Sequence, residues 1–168
     1  MPIRKVLVTG APGFVGSRVC RELVAYGYDV KALHRTSSDL SSLKGLDLKL
    51  TPGDLTDRNS LRAALTDCDT VFHIAAVFRE AKHPDSYYFN VNAEGTKNLL
   101  EESVNAGVEK FIHCSTTGVH GHIKNPPGNE ETVFASRDVY QQSKCVAEKI
   151  VKQFLIQERY LVQSFVLL

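Results

Sequence analysis

The 168-residue sequence has little net charge and no long apolar run. Its 20 Lys and Arg side chains nearly balance its 19 Asp and Glu side chains, which gives a formal net charge of +1 at pH 7. This balance gives no reason to expect nucleic acid or an anionic membrane surface as a partner. No apolar stretch approaches the roughly 20 residues that a transmembrane helix needs, so a membrane span is not expected.

The sequence also lacks a leader-like start and any pair of cysteines at metal-binding spacing. Its first ten residues, MPIRKVLVTG, contain no apolar region of the ~7–15 residues typical of a signal peptide, and we expect them to form a first strand. Cys20, Cys68, Cys114 and Cys145 are scattered and form no CxxC motif. We therefore expect free thiols in a reducing, cytoplasmic compartment, and no metal site.

What the sequence does have is a strict alternation of short apolar runs and longer amphipathic stretches. Apolar β-branched runs predict strands at residues 5–10, 29–35, 46–54, 69–76, 108–116 and 161–168. Helical spacing predicts helices at residues 14–27, 57–68, 90–107 and 139–157, the third beginning a few residues earlier. The alternation predicts an α/β fold with a parallel sheet and helices on both of its faces.

A glycine-rich stretch, TGAPGFVG at residues 9–16, lies directly between the first predicted strand and the first predicted helix. Gly10 would permit a tight exit from the strand, Gly13 would let the backbone approach a pyrophosphate, and Gly16 would let the helix pack closely on the sheet. Phe14 and Val15 would place free N–H groups of the helix N-terminus beside the phosphates. The pattern predicts a dinucleotide-binding domain of the Rossmann type, a doubly wound sheet with strand order 3-2-1-4-5-6.

The stretch at the end of the second predicted strand, ALHRTSSD at residues 32–39, bears on the choice between NADP and NAD. An acidic residue there would bind the ribose 2′-OH of NAD, whereas an arginine suits the 2′-phosphate of NADP. His34 or Arg35 occupies that place, three hydroxyl-bearing residues follow, and Asp39 is too far along the chain to be the expected acid. We therefore expect NADP rather than NAD, with an ordinary surface arginine as the alternative interpretation of Arg35.

Six motifs occur in order between residues 4 and 155: TGAPGFVG, GDLTD, HIAA, NVNAEGTKNLL, STTGVHG and YQQSK. Together they resemble the extended short-chain dehydrogenase/reductase superfamily, and specifically its NAD-dependent epimerase/dehydratase family. The resemblance implies an oxidoreductase-type enzyme that transfers hydride at a hydroxyl or carbonyl carbon of a small molecule. A nucleotide-sugar is the first expected substrate, and the alternative is an NADPH-dependent carbonyl reductase similar to dihydroflavonol reductases.

The resemblance also implies a catalytic triad. Tyr140 and Lys144 match the YxxxK pair of the family, and Thr116 matches its serine or threonine, with Ser115 as a rival if the alignment slips by one residue. Residues i and i+4 lie on one face of a helix, so the Lys144 ammonium would favour the phenolate form of Tyr140. A tyrosine whose pKa is lowered in this way can exchange a proton with a substrate hydroxyl.

Further positions match the cofactor-binding residues of the family. Asp54 and Leu55 match residues that flank the adenine, and Ala75 and Ala76 match the turn that lines the cofactor cleft. Asn92 matches the asparagine of the NVxGT motif, which supports the active-site helix, and it is expected to belong to the cofactor-binding set.

The sequence departs from the family pattern at its end, which reads LVQSFVLL. Family members usually continue into a C-terminal part that forms much of the substrate pocket, so residues 1–168 are expected to be one NAD(P)-binding domain truncated before that part. A cofactor-binding fragment without catalysis is therefore an alternative function. An exposed edge along the sixth strand would favour association, so a homodimer is one expected assembly.

Overall fold

A computed structural model describes residues 4–78, 83–124, 126–129, 131–157 and 161–167. Six strands pair in parallel in one sheet, and the predicted strand order 3-2-1-4-5-6 is confirmed. The strands are β1 (Lys5–Thr9), β2 (Asp29–His34), β3 (Lys49–Pro52), β4 (Thr70–His73), β5 (Lys110–Thr116) and β6 (Leu161–Leu167). The third strand begins later than predicted, because Leu46 and Leu48 continue the preceding turn through backbone bonds of 3.2 and 3.1 Å.

Five α-helices and a π-helical turn connect the strands of the described chain. The helices are α1 (Phe14–Ala25), α2 (Arg58–Leu65), α3 (Asp85–Phe89), α4 (Gly95–Asn105) and α5 (Val139–Gln157). The π-helical turn, Asn90–Glu94, joins α3 to α4, so the third predicted helix does begin before residue 90. A 3₁₀ turn at Thr117–His120 directly follows β5, between the fifth predicted strand and the helix predicted at residues 139–157. None of the described helices is long and apolar enough to cross a bilayer.

Apolar side chains cover both faces of the sheet. Along β1, Val6 and Val8 pack on the α1 side, while Leu7 points to the opposite face, as the two-residue period of a strand requires. The Leu7 side is covered by α2, α4 and α5. Burial on both faces explains why the strands read as continuous apolar runs rather than as alternating ones.

The strand order places the functional edge of the sheet. Strands β1 and β4 are neighbours, and the chain runs outward from them in opposite directions, through β2 to β3 and through β5 to β6. In open α/β sheets, ligands bind beyond the carboxyl ends of the strands at such a switch point. The carboxyl ends of β1, β2, β4 and β5 therefore mark where a site is expected.

Candidate active site

A cavity of about 950 Å³ lies at this edge of the sheet. Its volume is at the upper end of the roughly 300–1,000 Å³ of typical small-molecule sites. The predicted site residues that line it are Gly10, Gly13, Phe14, Val15, Gly16, Arg35, Asp54, Leu55, Ala75, Ala76, Thr116, Tyr140 and Lys144. The fold thus gathers residues from along nearly the whole chain into one place.

Close backbone packing shapes the glycine loop. Gly10 has φ +68°, and a Cβ there would come within 2.7 Å of the Ala75 nitrogen. A Cβ on Gly16 would overlap the carbonyl oxygen of Gly10. Gly13 precedes α1, and no described side chain caps this helix, so its first N–H groups are available at the cavity. A glycine cradle of this shape beside a helix N-terminus fits the pyrophosphate of a dinucleotide.

The loop after β2 forms the lip of the cavity near Arg35. A tight turn fixes its backbone: the Arg35 N–H donates to Ser38 Oγ at 3.2 Å, and the Ser38 N–H donates to the Arg35 carbonyl at 3.0 Å. Arg35 is exposed and lines the cavity together with Ser37 and Ser38. Asp39 also lines the cavity, which the sequence analysis did not expect. Its carboxylate accepts the backbone and side-chain hydrogens of Ser41, which lower the pKa of Asp39.

The turn after β3 presents Asp54 and Leu55 to the same cavity. Asp54 Oδ1 accepts from the N–H and the hydroxyl of Thr56 at 2.8 and 2.7 Å, which holds the carboxylate in place. Leu55 is buried against Gly95, where an added Cβ would lie 2.8 Å from the Leu55 Cβ. This contact packs the turn onto the start of α4.

Lys144 reaches the cavity wall from the interior. Its side chain is 3% exposed, and its Nζ donates to the carbonyl oxygen of Cys114 at 2.8 Å. Burial lowers the pKa of Lys144 from 10.5 to about 8. Ser115 and Thr116 follow Cys114 at the end of β5, and both residues line the cavity, but the hydroxyl oxygen of Ser115 is buried.

Tyr140 lies one helical turn before Lys144 and is half-buried. Its ring meets the ring of Phe78 edge-on, with centroids 4.8 Å apart and planes at 90°. The two residues that a proton transfer would need are thus on one face of α5, and an aromatic side chain packs directly on the phenol.

Asn92 is the one predicted cofactor-binding residue that does not line the cavity, because it is buried. Asn92 is 1% exposed; its Oδ1 accepts from the Val77 N–H at 2.8 Å, and its Nδ2 donates to Ser143 Oγ at 2.9 Å. The Ser143 hydroxyl donates to the Tyr140 carbonyl at 2.7 Å. Asn92 therefore supports the helix that carries Tyr140, as the resemblance to the NVxGT motif implies.

The cavity has an aromatic rim that the sequence analysis missed. Phe78, His83 and Tyr87 all line it, and the His83 and Tyr87 rings stack with centroids 4.2 Å apart. Phe78 is 58% exposed. The aromatic residues of FREAKHPDSYY, the stretch at residues 78–88, could have indicated this rim. Arg79 and Lys82, which lie between them in sequence, fall outside the described residues.

The chain is similar to known proteins over most of its length. The family model described as the NAD dependent epimerase/dehydratase family matches residues 6–162. The chain is 36% identical over 145 residues to sterol demethylase protein B of Methylococcus capsulatus, covering 84% of this chain and 44% of that protein. It is 36% identical over 156 residues to a 3 beta-hydroxysteroid dehydrogenase/Delta 5→4-isomerase of Mycobacterium tuberculosis, covering 88% and 42%.

A solved structure shows the same fold around a bound dinucleotide. The dTDP-glucose 4,6-dehydratase DesIV of Streptomyces venezuelae, solved with NAD bound, is 27% identical with a TM-score of 0.89. The match covers 96% of this chain and 55% of that one, so the chain spans about half the length of the proteins it matches. On the family match and these similarities, the chain belongs to the NAD-dependent epimerase/dehydratase family.

Proposed function

We propose that this chain is the cofactor-binding and proton-transfer part of an NAD(P)-dependent oxidoreductase that acts at a hydroxyl or carbonyl carbon. The observation that carries the proposal is the Tyr140–Lys144 pair, which lies one helical turn apart at the wall of a cavity with a glycine cradle. A bound nicotinamide would supply or accept the hydride, and the chain supplies position and proton control.

In this proposal Tyr140 exchanges the proton and Lys144 makes that exchange possible. With a pKa of about 8, Lys144 carries a positive charge at neutral pH. This charge favours the phenolate of Tyr140, whose ordinary pKa of ~10 would otherwise keep the phenol protonated. The hydroxyl of Thr116, at the end of β5, hydrogen-bonds the reacting oxygen of the substrate, with Ser115 as the alternative.

For the cofactor we propose NADP, with NAD as the second candidate. The support is the turn after β2, which leaves Arg35 exposed at the cavity together with Ser37 and Ser38. A guanidinium with neighbouring hydroxyl donors matches the 2′-phosphate of NADP. The second candidate is favoured by Asp39, a carboxylate on the same lip, and by DesIV, a similar protein solved with NAD.

For the substrate, the rim of the cavity favours an apolar secondary alcohol or ketone. Phe78 packs against Tyr140 itself, and the stacked His83–Tyr87 pair adds aromatic surface to the same cavity. Such a rim suits a flat apolar molecule better than the doubly charged diphosphate of a nucleotide-sugar. One similar protein is described as a 3 beta-hydroxysteroid dehydrogenase/Delta 5→4-isomerase, and a hydroxysteroid is an apolar alcohol. A nucleotide-sugar is the second candidate, supported by the similarity to a dTDP-glucose 4,6-dehydratase.

Turnover, rather than cofactor binding, tests the proposal. The 168-residue chain is incubated with NADP or NAD and three panels: fused-ring alcohols and ketones, aliphatic carbonyls, and nucleotide-sugars. We expect turnover in the first panel, and we expect Tyr140→Phe to reduce it by about 10²–10⁴-fold while changing the cofactor dissociation constant less than about threefold. Cofactor binding with no turnover in any panel would leave a cofactor-binding fragment as the function of this chain.

A further inference from the structure

His73 ends β4 and bridges two parts of the site. Its side chain is 1% exposed, its Nδ1 lies 2.8 Å from Thr9 Oγ1, and its Nε2 lies 2.8 Å from Thr96 Oγ1. Thr9 is the last residue of β1, directly before the glycine loop, and Thr96 is in the first turn of α4. A single buried imidazole thus joins the loop that cradles the cofactor to the helix that follows the π-helical turn.

The other hydrogen bonds of the two threonines determine which ring nitrogen carries the hydrogen. The Thr96 hydroxyl lies 2.6 Å from the Asn92 carbonyl, which only accepts, so Thr96 donates there and accepts from His73. Nε2 of His73 therefore carries the hydrogen, and Nδ1 accepts from the Thr9 hydroxyl. Thr9 Oγ1 in turn accepts two backbone N–H groups that follow β4, each at 3.2 Å. Every bond in the chain then has one donor and one acceptor.

The same bonds disfavour a second proton on the ring. A hydrogen on Nδ1 would face a Thr9 oxygen that already accepts two N–H groups. Burial and, to a lesser extent, the nearby positive charge of Lys144 together lower the pKa of His73 from 6.5 to about 3. The ring therefore acts as a fixed, neutral connector over the whole physiological pH range.

The hydrogen-bond chain continues from Asn92 to Tyr140. Asn92 belongs to the π-helical turn, and its side chain bonds Val77 and Ser143, which bonds the Tyr140 carbonyl. Turns of this kind inside α-helices often mark functional sites, because they redirect side chains and carbonyls. A path of hydrogen bonds thus leads from the end of β1 to the carbonyl oxygen of Tyr140, and its intermediate residues are His73, Thr96, Asn92 and Ser143.

We propose that His73 is a positioning residue that, as a neutral Nε2–H imidazole, couples the glycine loop to the π-helical turn and so sets the position of Tyr140 against the cofactor cavity. The effect of Tyr140 on turnover rests on the proposed function. The hydrogen-bond pattern of His73 does not depend on that function, so the proposed function and the positioning role of His73 can be tested separately.

A neighbouring histidine offers a matched control. His113 is fully buried on β5, and its ring lies 5.3 Å from that of His73. Neither of its ring nitrogens has a hydrogen-bond partner among the described residues. His113→Phe therefore replaces a buried imidazole without breaking a hydrogen bond, whereas His73→Phe breaks two.

The first measurement is ¹⁵N NMR of the histidine-labelled 168-residue chain. We expect the His73 ring to show the Nε2–H tautomer and constant shifts between pH 8 and pH 5. An Nδ1–H tautomer, or titration near the ordinary histidine pKa of ~6.5, overturns the proposal. This measurement needs no variant and no activity.

The second measurement separates the two ends of the bridge. His73→Gln keeps a donor at the place of Nε2 and loses the Thr9 contact, and His73→Asn keeps an acceptor at the place of Nδ1 and loses the Thr96 contact. We expect the Gln variant to raise the NADP dissociation constant about two- to tenfold, the effect of one hydrogen bond. We expect the Asn variant to lower kcat by a similar factor with a smaller change in cofactor affinity.

The controls decide between positioning and mere packing. His113→Phe should change neither quantity by more than about twofold, whereas His73→Phe should change both. Equal effects of the Gln and Asn variants, or equal effects of the two Phe variants, overturn the proposal. If the wild-type chain binds NADP without turnover, the proposed function fails, and the ¹⁹F shift of fluorotyrosine at position 140 replaces kcat as the readout: it should move in the Asn variant and not in His113→Phe.

Discussion

The ammonium of Lys144 donates a hydrogen bond of 2.8 Å to the carbonyl oxygen of Cys114, from a position where the lysine is 3% exposed. Cys114 belongs to β5 and Lys144 to α5, so this bond fixes the helix to the sheet at the cavity wall. Burial disfavours the charged form and lowers its pKa to about 8. A charged ammonium that is shielded from water lowers the free energy of unfolding, and such destabilising groups are common at functional sites.

The first prediction concerns the pH dependence of this cost. The folded pKa of Lys144 is about 8 and its ordinary value is 10.5, so between these values the unfolded chain binds more protons than the folded one. The lysine is most destabilising below about pH 8, and the penalty is relieved as pH rises toward 10.5. Lys144→Met should therefore be more stable than wild type at pH 7, and its advantage should shrink by about 3 kcal/mol by pH 10.5.

Urea unfolding of both proteins at a series of pH values between 7 and 10.5 measures this difference. Lys149→Met, an exposed lysine on the same helix, is the control and should show no comparable trend. An advantage that stays constant with pH would mean that the folded and unfolded chains bind the same number of protons, and hence that folding does not lower the pKa of Lys144.

The spacing of apolar residues in the sequence predicts some elements of the fold and leaves others undetermined. Continuous β-branched runs such as that of β1 correctly predict strands buried on both faces, and the glycine-rich pattern after β1 correctly predicts the strand order. The π-helical turn Asn90–Glu94 could not be predicted, because one extra residue per turn leaves no mark in apolar spacing. The position of Asp39 at the cavity was not predicted either. The path of the loop after β2 brings Asp39 to the cavity, and its distance along the chain from β2 does not show this.

Helix α5 shows the limit of the apolar rule at a functional site. Its apolar spacing predicts Val146, Ile150 and Phe154 on the buried face, yet Val146 is 36% exposed. The buried positions instead include the polar residues Ser143 and Lys144. At its first turns the helix faces the cavity and the Asn92 network, so hydrogen bonds turn Ser143 and Lys144 inward, whereas Ile150 and Phe154 pack on the apolar core as their spacing predicts.

The second prediction tests the cofactor choice through Arg35. Arg35→Ala should weaken NADP binding by about ten- to a hundredfold, the loss of one charge-assisted contact, and leave NAD binding within about threefold. Fluorescence titration of the 168-residue chain with each dinucleotide measures both constants. Arg21→Ala, at an exposed position of α1 away from the cavity lining, controls for a general loss of positive charge. Equal weakening of both cofactors would assign Arg35 no role at the 2′-phosphate.

The third prediction separates the two functions of the glycine loop. A Cβ on Gly16 would overlap the Gly10 carbonyl, whereas a Cβ on Gly13 would lie 3.2 Å from the same oxygen, a contact that small shifts can relieve. Gly16→Ala should therefore lower the free energy of unfolding by about 1–3 kcal/mol. Gly13→Ala should keep nearly wild-type stability and weaken cofactor binding by roughly tenfold, because its methyl group occupies the phosphate side. Thermal unfolding and cofactor titration of both variants measure the two effects, and a reversed order would contradict the assignment.

The last prediction tests the aromatic rim against the nucleotide-sugar alternative. Phe78 is 58% exposed at the cavity and packs edge-on against Tyr140, so an apolar substrate that reaches the tyrosine must contact its ring. Phe78→Ala should raise KM for a fused-ring ketone by about tenfold or more, since losing apolar contact in a binding pocket costs about 1–3 kcal/mol. KM for a nucleotide-sugar and the dissociation constant of NADP should stay within about twofold. Val133→Ala removes a side chain that is 78% exposed and does not line the cavity, and it should change none of the three constants. A rise in KM for the nucleotide-sugar alone would reverse the order of the two substrate candidates, because the ring would then contact the sugar rather than an apolar body.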